Sequence, residues 1–131
     1  VKRDARRIPE WKLQHAAVRA LFQAKKAGMP IRWAASMNAG RRGPRDRAIA
    51  QATGLAPGEP DLNIYLPGAR LLQIEYKTTD GALSDEQIES HAEILELGFA
   101  PVVVLAPANE DEAAAMTLAL VHQRLATTTD A

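Results

Sequence analysis

Cysteine is absent from the 131-residue chain, which excludes disulfides, thiolate nucleophiles and cysteine-bound zinc. Aromatic residues are scarce at 5%, and Trp11 and Trp33 are assigned to the core rather than to stacking on bases. No apolar run approaches the roughly 20 residues that span a membrane. Nor does a basic flank, apolar run and small-residue cleavage site mark a secretory leader. The phosphate-binding Gly-x-x-x-x-Gly-Lys-[Ser/Thr] loop, the zinc-binding His-Glu-x-x-His pattern and the serine-nucleophile elbow are missing too. His15, His91 and His122 lack metal-ligand spacing and read as ordinary surface or partly buried residues. The expectation is a soluble, intracellular, cytoplasmic protein of one domain over residues 1–131, with no membrane partner. Residues 1–8 read as a basic arm and 126–131 as a frayed tail.

Net charge is also missing, yet the two signs are segregated. Residues 1–47 hold 13 Lys/Arg against three acids, and residues 48–131 hold three Lys/Arg against 13 acids. A balance of +10 in the first third can supply a face that attracts phosphates. A solvated basic helix packed against an acidic half accounts for the same numbers.

Elements follow from periodicity and punctuation. A helix opens at Pro9-Glu10 and runs to Gly28, with Trp11, Gln14, Ala17, Val18, Leu21 and Phe22 at helical spacing. Ile31–Ala35 is a short strand, residues 36–44 a loop, and Arg45–Thr53 a short helix. Asp61–Leu66 and Arg70–Lys77 are strands joined by Pro67-Gly68-Ala69. Ser84 begins a helix that places Ile88, Ala92 and Leu95 on one face and stops at Gly98. Pro101–Ala106 reads as a fully buried strand, and Asn109 caps a last helix carrying Ala113, Met116, Thr117, Leu120 and Val121. The order α-β-α-β-β-α-β-α makes an α/β fold with helices flanking a small mixed sheet.

The hairpin carries the chemistry. A three-residue loop sets Leu66 opposite Arg70, Ile64 opposite Leu72 and Leu62 opposite Ile74, so that these apolar residues and Tyr76 share one face. The other face then has Asp61 opposite Glu75, with Lys77 two residues along. Opposed carboxylates repel unless a cation sits between them. Oxygen ligands with open positions suit magnesium, and an adjacent ammonium can orient water or stabilise charge on phosphorus.

Gly58-Glu59-Pro60-Asp61, followed by Glu75-Tyr76-Lys77, resembles the PD-(D/E)XK nuclease motif. More narrowly, the chain is similar to the virus-type replication-repair nuclease domain, VRR-NUC. Glu10 and Gln14 in Glu-Trp-Lys-Leu-Gln, Asn38 after the first strand, and Gly81-Ala82-Leu83-Ser84-Asp85-Glu86-Gln87 agree with that pattern. So does Gly98-Phe99-Ala100-Pro101-Val102-Val103-Val104, and the likeness covers roughly residues 8–106.

The resemblance implies a restriction-endonuclease-like fold and hydrolysis of a DNA phosphodiester. Asp61 and Glu75 would hold Mg²⁺ or Mn²⁺ with the backbone carbonyl of Tyr76, and Lys77 would position the attacking water. Glu10 would reach a second metal or a metal-bound water, and Gln87 would complete the polar site. A stand-alone domain of this type implies a homodimer acting on branched DNA, a four-way junction above all. Viral, mobile-element and bacterial origins fit equally. Asn38, Arg41, Arg42, Arg45 and Arg47 would grip DNA phosphates. Each residue has a plainer role as well. Asp61 and Glu75 could form an exposed ion cluster with Lys77. Gln87 closes a capping box with Ser84, Glu10 is a first-turn acid facing the helix dipole, and the arginines could simply be solvated.

Overall fold

The computed structural model describes residues 8–36 and 43–127. Its elements are α1 (Glu10–Lys26), β1 (Arg32–Ala35), α2 (Pro44–Ala52), β2 (Leu62–Leu66), β3 (Arg70–Tyr76), α3 (Asp85–Glu96), β4 (Val103–Leu105) and α4 (Glu110–Ala126). The order is the one read from the sequence. The four strands form one mixed sheet in the order β1-β2-β3-β4, antiparallel across the first three and parallel between β3 and β4.

Local chemistry fixes most boundaries. Glu10 in the first turn of α1 and Lys25 and Lys26 in its last complement the helix dipole, and Gly28 at φ 113° ends it. Asn109 opens α4 by accepting the Glu112 N–H at 2.8 Å. Between β2 and β3, Gly68 and Ala69 both take positive φ, 80° and 58°. The three-residue loop they complete pairs Leu66 with Arg70, Ile64 with Leu72 and Leu62 with Ile74, in the expected register.

The core lies on one face of the sheet. Leu62, Ile64, Leu66, Leu72, Ile74 and Tyr76 are buried there with Leu13, Ala17 and Leu21 of α1 and Ala113, Thr117 and Val121 of α4. Both helical sets recur every fourth residue, and α1 packs along α4. Alanine and threonine at their centres allow the two backbones to approach closely.

Three expectations about burial are corrected. Trp11 and Phe22 are 61% and 53% exposed, because α1 buries the Leu13-Ala17-Leu21 line instead. Trp33 does pack against the core, partly buried. Ile88, Ala92 and Leu95 of α3 are exposed, and the helix turns Gln87, His91 and Ile94 inward. The β4 segment is an edge strand with Val104 42% exposed, not a fully buried one. Among the described residues, no helix is long and apolar enough to cross a membrane.

Candidate active site

The polar cluster forms where β2 begins and β3 ends. One step beyond the Leu62–Ile74 pair, the register carries Asp61 across from Glu75. Asp61 is tied to three elements. Its carbonyl accepts the Ser36 N–H at 3.1 Å, just past β1, and the Gln14 side chain of α1 at 3.4 Å. Its Oδ2 accepts the Tyr76 N–H at 2.8 Å. One carboxylate oxygen is thereby pinned to the strand bearing Glu75. The Tyr76 ring lies in the core, as its place in the pleat requires, with its hydroxyl 2.7 Å from Thr117 Oγ1.

Glu75 is 1% exposed, so the reading as an exposed ion cluster fails on burial. The first turns of α3 meet both its oxygens. Gln87 Nε2 donates to Oε2 at 2.8 Å, and His91 Nε2 lies 3.2 Å from Oε1. Burial pushes the Glu75 carboxyl up to about 8, aided by the charge of Asp61 and a hydrogen bond shared with it, and by Glu10. Lys77 pulls in the opposite direction. Burial also lowers the pKa of His91, with Asp61 opposing and Lys77 reinforcing the shift. Lys77 is itself buried, and among the described residues its ammonium forms no hydrogen bond or ion pair.

Two features seat α3 over Glu75. Ser84 Oγ accepts the Gln87 N–H at 3.1 Å while Gln87 Oε1 accepts the Ser84 N–H at 2.9 Å. The expected capping box is therefore present, and the opposite end of the same amide reaches Glu75. Gly58, at φ +79°, lies against the same turn: a Cβ there would fall 2.2 Å from the Glu86 carbonyl oxygen. Only glycine permits that approach.

No family model, curated protein or solved structure matches this chain.

Of the residues singled out in the sequence, Asp61, Glu75, Lys77 and Gln87 come together, and Glu10 at the start of α1 acts on Glu75 through its charge. Arg45 and Arg47 are exposed on α2, while Asn38, Arg41 and Arg42 lie outside the described residues. His91 is the site residue that spacing alone did not select. Its signal was its position four residues after Gln87, on the same side of one helix. Exposed Asp85, Glu86, Glu89, Glu93 and Glu96 give the rest of α3 a negative surface.

The donor set fits a hard divalent cation. Two facing carboxylates, one so buried that it holds its proton to about pH 8, are an arrangement that a cation relieves. Among the described residues, no three His, Asp or Glu side chains form a metal-holding group by themselves. Remaining positions would fall to backbone carbonyl and water, which magnesium commonly retains.

Proposed function

We propose that the chain is a metal-dependent DNA endonuclease of the restriction-endonuclease-like, VRR-NUC type that its motifs resemble. The observation that carries this reading is the half-buried Asp61 set in facing register with the buried Glu75, with the buried Lys77 two residues along the same strand end. An exposed ion cluster does not explain the burial of Glu75 and Lys77 at this place.

Asp61, Glu75 and the Tyr76 carbonyl would hold Mg²⁺ or Mn²⁺, with Glu10 serving a second ion or a bound water. When bound, the ion supplies an acidified water and a positive charge beside phosphorus. Lys77 positions the attacking water and faces the charge that develops on the phosphate oxygens. Gln87 holds the plane of the Glu75 carboxylate through its 2.8 Å hydrogen bond. DNA phosphates would be met by Asn38, Arg41, Arg42, Arg45 and Arg47, while the acidic surface of α3 would repel them. A homodimer would present two such sites to the two strands of a four-way junction. A nuclease that tracks shape needs no base-reading side chains.

Cleavage of a labelled panel tests the reading: four-way junction, flap, splayed arm, duplex and single strand, each with Mg²⁺, Mn²⁺ or EDTA. The expected result is paired cuts in the junction that require metal and disappear in Lys77→Ala. Cuts confined to flaps or ends would keep the nuclease and discard the junction. Binding without cleavage in either metal would make the chain a DNA-binding module and overturn the enzyme.

A further inference from the structure

The arrangement of α3 goes beyond its Gln87 contact. Gln87 and His91 stand one helical turn apart and address different oxygens of one carboxylate, Oε2 at 2.8 Å and Oε1 at 3.2 Å. The terminal torsion of a glutamate is soft, so one hydrogen bond leaves the carboxylate plane free to swing. A second donor on the other oxygen fixes it. An ionised carboxylate offers about four lone-pair sites, so two donors from α3 leave two for another partner. Once Glu75 is ionised it has no proton to give, and the hydrogen must sit on His91 Nε2. The imidazole side chain is 14% exposed and spends its inward nitrogen on this contact.

We infer that His91 is a positioning residue for a divalent cation: by donating to Glu75 Oε1 it presents the remaining lone pairs toward Asp61 and raises cation affinity. This rests on the reading of Asp61 and Glu75 as the cation's ligands. Groups that orient metal ligands in this way typically change affinity about 10- to 100-fold when removed. His91 acts through its contact with Glu75, so its effect falls on cation affinity and not on the rate at saturating cation.

The test is Mn²⁺ binding, followed by calorimetry and by the electron paramagnetic resonance of free Mn²⁺, on the full chain and on His91→Ala, His91→Leu, His91→Gln and Asp61→Asn. Thermal unfolding in EDTA accompanies each variant. Wild type should bind, and Asp61→Asn should not. His91→Ala and His91→Leu should bind about 10- to 100-fold more weakly, while His91→Gln, whose amide can donate to the same oxygen, should recover most of the loss. DNA cleavage by the Ala variant should return to the wild-type rate at high Mn²⁺. If the Ala variant does not fold, the contrast between Leu and Gln decides the same question. Unchanged affinity in the Ala and Leu variants, or equal losses in Leu and Gln, would overturn the role of His91 while leaving the cation site standing. A wild type that binds no Mn²⁺, or an Asp61→Asn that binds as well, would overturn the site and this inference with it.

Discussion

Gln87 divides one amide between two partners: Nε2 donates to Glu75 at 2.8 Å while Oε1 holds the Ser84 N–H at 2.9 Å. The capping box fixes which end of the amide faces the acid, so the cap of α3 and the orientation of Glu75 depend on the same side chain. Gln87→Ala removes both and should cost about 1 kcal/mol of stability as well as cation affinity. Gln87→Glu keeps the cap acceptor but sets a third carboxyl against Glu75. Thermal unfolding in EDTA at pH 6, beside Mn²⁺ titration, should show both variants weakened in binding and only the Ala variant weakened in stability.

The raised Glu75 carboxyl makes the cation-free protein sensitive to pH. An acid that titrates near 8 when folded and near 4.5 when unfolded binds more protons in the folded state across that interval. Stability from this group is therefore complete at the acid end and is lost as pH rises toward about 8. His91, with its pKa lowered from 6.5, acts at the other end, withdrawing stability as pH falls below that value. Asp61, Glu10 and Lys77 complete the set of charges acting on Glu75. Melting temperature in EDTA should fall from about pH 6.5 to 8 in wild type, and Glu75→Gln should flatten that slope and melt higher at pH 8. Saturating Mn²⁺ should flatten it too.

Gly58 sets the depth at which α3 sits. Gly58→Ala brings a left-handed residue and a methyl 2.2 Å from the Glu86 carbonyl oxygen, so the first turn of α3 must withdraw. The backbone alone costs roughly 1–2 kcal/mol. Withdrawal should also lengthen the Gln87 and His91 contacts, so denaturant unfolding and Mn²⁺ titration should deteriorate together.

Tyr76→Phe separates core from site. The change leaves the Thr117 hydroxyl buried without its 2.7 Å partner, at a cost of about 1–3 kcal/mol. Because the Tyr76 ring points away from the carboxylates and only its backbone borders them, cation affinity should remain at the wild-type value.

The hairpin was legible because a loop of known length determines register, and register determines which side chains share a face. Asp61, Glu75 and Lys77 followed from that, and so did the core face. Helix faces were less legible. In α1, apolar residues occur almost all round, and the buried line was chosen by α4, whose small residues admit Ala17 but leave Trp11 and Phe22 outside. In α3 the apolar stripe pointed the wrong way, since the acid on the neighbouring strand needed donors and the helix turned Gln87 and His91 toward it. Hydrophobic patterning identifies a core-facing side, and this helix faces a charged one.

Asp61 accepts from Ser36, Gln14 and Tyr76, residues separated from it by 25, 47 and 15 positions along the chain. Such a junction cannot assemble from a fragment, because the closure of each loop must precede its hydrogen bond. A chain emerging from the ribosome has no Glu75 strand to pin Asp61 until residue 76 is free, and the α3 donors arrive later still. The carboxylate pair is thus a reporter of complete folding, and a nascent copy carries no assembled cluster.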